Sequence, residues 1–344
     1  MSLHTTKLAT LLAVTALAAP ALAQVVSPPE PKPAPAAPYV PPAPPPSTPA
    51  PRPTEQVPQV DYDPITPRDE QGQIIPLEAP YEYVAMAHNP LITLEVFTKI
   101  APVFYERRQR VEQLIIEHLG VMMEIENGLI DSMRMEDEEA MRETTGKVSV
   151  FTSHASLTPF LSADITRSGL VSRNIGTITQ KIMQDHQKLV TTTAMGAPTT
   201  DDGATGIDQM MQAALNMSIS EYEYFYSRLM MDIADQFGAV LPQLALDAET
   251  AAVVTPLADQ LASEGDLDTR ALLIREIFAT LDDDTRKQAA ILTIELRPEI
   301  DTASLMAPIP EGAEAVELDN ETRLEIIFQL LDGGTVDTSA FVKK

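Results

Sequence analysis

APVFYERRQRVEQLIIEHLGVMMEIENGLIDSMR, residues 101–134, is the stretch that decides the fold class. Set on a helix at 100° per residue, it gathers Phe104, Val111, Leu114, Ile115, His118, Leu119, Val121, Met122, Ile125, Leu129 and Met133 on one broad face. Pro102 suits the first turn of such a helix, where its missing N–H goes unused. No glycine pair and no second proline interrupts the run before Arg134. The pattern predicts a helix about 45–50 Å long at 1.5 Å per residue. An apolar stripe that wide needs other helices to cover it. The chain therefore reads as all-α: a bundle of three long helices plus shorter C-terminal helices, preceded by a disordered proline-rich segment.

The covering helices can be placed by the same period. Val171, Ile175, Ile178, Ile182, His186 and Leu189 mark a second long helix over about Ala163–Val190. Ile207, Met211, Leu215, Tyr222, Phe225, Leu229, Ile233 and Phe237 mark a third over about Ile207–Leu241, stopped by Pro242. Upstream, Asn89 and Pro90 resemble the cap and first residue of a short helix reaching about Ile100. Downstream, shorter helices are expected over about Ala248–Ser263, Asp268–Leu281, Asp283–Leu296 and Asn320–Leu331, with Asp268 and Asp283 as caps. Residues 88–244 form the expected bundle domain. Residues 245–344 form a smaller helical region, packed on the bundle or standing as a second subdomain.

The first 80 residues are a different material. Lys7, the apolar run Leu8–Ala19 and the small residues of Ala21-Leu22-Ala23 give residues 1–23 the form of a secretory signal peptide. The apolar run is shorter than the roughly 20 residues that a membrane span requires, so no transmembrane anchor is expected after cleavage. Residues 24–80 read as a spacer, with seventeen prolines between Pro28 and Pro67. Proline fixes φ and removes a donor, which leaves polyproline II as the accessible conformation.

Composition narrows the chemistry. The chain holds 24 Lys and Arg against 50 Asp and Glu, a net charge of −26. Phosphate contacts need Lys and Arg, so nucleic acid and anionic membranes are poor partners. Cysteine is absent, which excludes disulfides, thiolate catalysis and iron–sulfur clusters. Nucleophile elbows, P-loops and Gly-x-Gly-x-x-Gly are missing, and so are the His-Glu-x-x-His and Glu-x-x-His metal motifs.

Four groups of residues remain as candidates. His118 and His186 sit within apolar stripes, with Met122 one turn after the first and Met183 one turn before the second. A copper or haem site could use that His/Met set, and a pair of core histidines would look the same. The methionines at large fill irregular cores as readily as they bind Cu(I). Arg107, Arg108 and Arg110 form the one dense basic cluster and could dock a carboxylate. The pairs Glu106/Arg110 and Arg108/Glu112 could equally neutralise each other on an exposed helix face. Tyr222, Phe225 and Tyr226 share a side of their helix, whereas Tyr224 points elsewhere and suits an interface anchor.

These observations imply an exported, non-enzymatic protein of the bacterial cell envelope, periplasmic or secreted, that works by binding a protein partner as a scaffold or chaperone-like module. A metal- or haem-carrying bundle is the alternative, and a hydrolase of envelope polymer the third reading. The sequence leaves homo-oligomerisation open.

Overall fold

The computed structural model describes residues 79–135, 160–169, 206–312, 314–315 and 317–343, with isolated positions at 139–140, 143–144, 146–148, 151, 179, 181 and 184. The signal-like stretch, the proline-rich stretch up to residue 78 and the expected loop 191–205 lie outside the described residues, and Ala79 and Pro80, expected at the end of the spacer, are buried. The protein is all-α. Its helices are α1 (Tyr81–Ala87), α2 (Leu94–Glu117), α3 (Leu119–Met135), α4 (Leu161–Arg167), α5 (Gly206–Val240), α6 (Ala248–Ser263), α7 (Leu267–Thr280), α8 (Asp283–Glu295) and α9 (Asn320–Leu331). Extended structure among the described residues is a two-residue ladder pairing Glu314–Ala315 with Val342–Lys343, and a bridge between Met306 and Val336.

The helical part begins earlier than its period announces. Every residue of α1, YEYVAMA, is buried. A helix buried on all sides carries no apolar stripe, so the expectation that the bundle starts at residue 88 misses it. Asn89 caps no helix; its Oδ1 accepts from Leu91 N at 3.0 Å within a turn. Thr93 is the cap, accepting from Val96 N, and α2 runs straight through Pro102. An internal proline costs about 3 kcal/mol. Phe97, Ile100, Ala101 and Phe104, all fully buried around it, offset that cost.

The deciding stretch is two helices, not one. His118 leaves the helical region at φ −112° and ψ 18°, and α3 starts at Leu119. Its amide still reaches Leu114 O and Ile115 O, and its carbonyl accepts from Met122 N at 3.0 Å, so the break is a kink. The tight neighbour is α8. A Cβ on Gly120 would lie 2.5 Å from Asp283 Oδ1, at the first residue of that helix. The predicted face survives the kink: Val111, Ile115, Leu119, Met122 and Ile125 are all buried.

The expected second long helix is corrected at its start. α4 stops at Arg167, and Gly169 takes φ +75°, the left-handed conformation that ends a helix. Most of residues 170–190 lie outside the described set. The third long helix matches its reading within a residue, from Gly206 to Val240, with Tyr222, Phe225, Leu229, Ile233 and Phe237 all buried. At 1.5 Å per residue it spans about 50 Å.

The C-terminal helices pack onto the rest. α6 and α7 form a hairpin against α5, α8 lies against α5, α3 and α2, and α9 against α1 and α2. One continuous cluster of buried side chains runs from Tyr83 to Val336. Aromatic rings knit its centre, with Phe104 and Phe225 at 5.9 and 6.5 Å from Tyr83.

Candidate functional site

Consecutive helical residues point about 100° apart, and Arg107 and Arg108 use that angle to serve two buried clusters. Arg107 is 2% exposed. Its Nε and Nη2 donate to both oxygens of Glu221 on α5, at 2.7 and 2.5 Å, and its Nη1 to Asp164 on α4 at 2.9 Å. Tyr83 Oη donates to the same Glu221 at 2.6 Å. Burial opposes charge on Arg107, but the two-pronged Glu221 carboxylate outweighs it and holds the guanidinium ionised. Burial, with the Glu221 charge behind it, pushes the Tyr83 phenol well above its ordinary range. Glu82 lies alongside and accepts from Leu161 N and Ser162 N at 2.8 and 2.6 Å, closing the start of α4. Its carboxyl is raised by burial, with the Arg107 charge pulling the other way.

Arg108 turns toward the C-terminal helices. Its Nε donates to Glu112 at 2.9 Å, and its Nη1 donates to the carbonyl of Leu331 at the end of α9. Glu112 also accepts twice from Arg297 at 2.8 Å, and Arg297 reaches on to Asp232 of α5. The i,i+4 pairing of Arg108 with Glu112 therefore exists, but inside the protein rather than on an exposed face. Arg110 pairs with Asp164 at 2.5 Å and keeps its side chain 46% exposed.

Three other arginines share one role. Arg323 donates to Ala87 O at the end of α1, Arg270 to Leu261 O in the last turn of α6, and Arg286 to Phe278 O in the last turn of α7. Cations are thus placed on the orphan carbonyls at the negative ends of helix dipoles. Aspartates do the reverse. Asp247, Asp266, Asp282 and Asp319 each accept from backbone amides at the start of α6, α7, α8 and α9. Those hydrogen bonds, led at Asp266 by one from the Thr269 hydroxyl, hold all four carboxyls below their usual range.

Of the candidate partner-binding residues, Arg107 and Arg108 are therefore turned inward and Arg110 alone is substantially exposed. Tyr224 is half-buried, its ring centroid 5.3 Å from that of Phe225 and 6.1 Å from that of Phe328 on α9. Tyr222, Phe225 and Tyr226 are buried together as their spacing predicts. Tyr226 Oη also donates to Glu126 on α3 at 2.9 Å. Of the candidate metal ligands, His118 sits at the kink, edge-on to Phe151 at 6.3 Å, and Met122 is buried one turn later. His186 and Met183 lie outside the described residues. Among the described residues, no three His, Asp or Glu side chains assemble into a set able to hold a metal ion.

Sequence reasoning missed Glu82, Asp164, Glu221, Asp232 and Arg297. The signal for Glu82 is legible afterwards, as a carboxylate inside the otherwise uncharged YEYVAMA. Another feature appears only with exposure known. Seven large apolar side chains stand exposed among the described residues, and five of them fall within α6–α8 and their ends: Val253, Leu267, Leu272, Ile291 and Leu296.

No protein-family model, curated protein or solved structure matches the chain. No helix among the described residues is long and apolar enough to cross a membrane.

Proposed function

We propose that this chain is an exported, non-enzymatic binding or scaffold protein of the bacterial cell envelope, periplasmic or secreted, that acts by holding a protein partner. The observation that carries the reading is an asymmetry between inside and outside. Of the arginines that could have formed a cationic docking site, Arg107 and Arg108 are drawn inward onto carboxylates and a helix end, and Arg110 is paired with Asp164. Large apolar side chains are left in solvent on three successive helices rich in carboxylates. Exposed apolar side chains beside carboxylates on these helices give another protein both an apolar hold and a charge to pair with. The A-x-A site after a short apolar run supports export.

Two measurements test the proposal. Intact mass of the protein recovered from the envelope fraction should place the mature N-terminus at Gln24; retention of residues 1–23 would reject the export route. Crosslinking in native envelopes, followed by purification of the chain, should return a protein partner in stoichiometric amount. Recovery of the chain alone would reject the binding role.

A further inference from the structure

We propose that α6, α7 and α8 each offer a solvent side that docks a basic protein segment with apolar side chains at helical spacing. The inference rests on the binding role above and adds to it the surface and the chemistry of the partner.

Each of the three helices carries an exposed apolar residue with a glutamate one turn away. Val253 on α6 has Glu249 one turn before it, Leu272 on α7 has Glu276 one turn after it, and Ile291 on α8 has Glu295 one turn after it. All six side chains are exposed, with Val253 at 48%, Leu272 at 50% and Ile291 at 45%. Residues four apart on a helix stand roughly 5–6 Å from each other. A partner helix carrying a Lys or Arg one turn from a Leu or Ile matches that spacing, with the apolar contact supplying the hold and the ion pair the register.

The charge of the region selects the occupant. Between Asp247 and Leu296 eleven carboxylate residues stand against four basic ones, a net −7. Three of those four are engaged within the chain: Arg270 with the carbonyls of Leu261 and Glu264, Arg275 with Asn127 of α3, and Arg286 with Phe278 O. A second copy of the chain would bring the same −7 against itself. The chain's own residues 24–78 carry seven acidic and three basic groups, so they too are repelled. Nucleic acid and anionic lipid are excluded by sign. A cationic protein segment is what remains.

The test places a photoreactive side chain at Leu272 of the full-length chain in native envelopes, with Leu91 and Met231 as comparison positions; both are exposed outside this region. Mass mapping should find the Leu272 crosslink on a segment of net positive charge, in about tenfold higher yield than at either comparison position. Crosslinks from Leu91 or Met231 alone would remove this face and leave the binding role standing. Crosslinks to an acidic segment, a lipid or nucleic acid would overturn the partner assignment. Crosslinks from none of the three would remove the binding role itself. A second arm uses a labelled amphipathic Lys/Leu peptide and a Lys/Ser peptide of equal charge, at roughly physiological salt where longer-range attraction is screened. The Lys/Leu peptide should bind about tenfold more tightly. The variant Leu272→Ser with Ile291→Ser should remove that advantage, while Leu91→Ser with Met231→Ser keeps it. Equal binding of the two peptides, or indifference to Leu272→Ser with Ile291→Ser, overturns the proposal.

Discussion

Arg107 and Asp282 are both charged side chains that complete a hydrogen-bonding deficit, yet they work at opposite ends of the dielectric range. In the interior around α2, α4 and α5, Arg107 meets Glu221 and Asp164 with almost no water present. On the outer helices, Asp282 closes the first turn of α8 in full solvent. The interior pairs cannot be judged by their attraction alone, because taking both charges out of water opposes it. Their strength is conditional: each is tolerated because its partner is there. The surface caps are independent of one another, and each satisfies amides that would otherwise lack a protein partner. The inner region should therefore fail all at once and the outer region by small steps.

The largest expected effect follows from the conditional interior. Arg107→Ala leaves Glu221 buried without its guanidinium, while Asp164 keeps Arg110, and should lose about 3–5 kcal/mol of unfolding free energy. The double change Arg107→Met with Glu221→Leu removes both members of the strongest pair and should be milder than Arg107→Ala alone. Denaturant titration of the three proteins measures this. A loss below about 1 kcal/mol for Arg107→Ala would mean that the cluster is wetter than its burial implies.

The contrast between the regions also explains what could be read in advance. α6 and α9 were placed with their observed bounds, and α5, α7 and α8 within a residue or so, because an amphipathic period and a nearby Asp or Pro mark where each begins or ends. Even there the capping aspartate is one earlier for α8, Asp282 rather than Asp283, and two earlier for α7, Asp266 rather than Asp268. Adjacent aspartates offer the same chemistry, and only the backbone turn chooses between them. α1 was missed because a helix buried on every side has no period. The kink at His118 was missed because Asp283, which closely approaches Gly120 beside the kink, is 163 positions from Gly120 in the chain. The inward turn of Arg107 and Arg108 had the same cause. Their partners Glu221, Asp164 and Leu331 come from α5, α4 and α9, and nothing local to residues 106–110 reveals them.

A second expected effect lies at the border between the two regions. Glu223 on α5 is half-buried, and desolvation raises its carboxyl from an ordinary 4.5 to about 8. A carboxyl raised in the folded state keeps its proton where the unfolded chain has lost it. Its contribution to stability is full below pH 4.5 and is lost as pH rises toward 8. Glu223→Gln mimics the protonated form. The variant should match the wild type near pH 4.5 and melt several degrees higher by pH 8–9. Glu82, also raised by burial, is common to both proteins and cancels in the difference. A melting difference that stays flat with pH would place Glu223 in water.

The caps come next. Asp282→Ala leaves Thr285 N without its acceptor, and should lower the melting temperature by roughly 2–4 °C at neutral pH. Hydrogen bonding to Thr285 is the first cause of the lowered Asp282 carboxyl. The cap's contribution is thus present above the unfolded value near 3.8 and lost as pH falls through the depressed one. The gap between Asp282→Ala and wild type should narrow toward pH 3. A gap that persists in acid would assign the loss to something other than the carboxylate.

The smallest expected effect on stability is the one with the most to say about function. Leu272 and Leu273 are neighbours on α7, but Leu273 is 5% exposed and Leu272 is 50%. Truncating Leu273 to Ala removes core contacts and should cost about 2–5 kcal/mol. Leu272→Ser removes a side chain already half in water, with Glu276 one turn away on the same solvent-facing stripe. Its melting temperature should stay within about 1–2 °C of wild type, the range of surface changes that disturb no special contact. A leucine whose loss leaves the fold intact is not held there by packing within the described chain. If Leu272→Ser were as damaging as Leu273→Ala, the side chain would belong to the core and α7 would have no free face to offer. If it is silent in melting and the peptide advantage disappears in the double variant with Ile291→Ser, the two sides of α7 divide cleanly. One side holds the helix to α5 and α6, and the other is open to a partner.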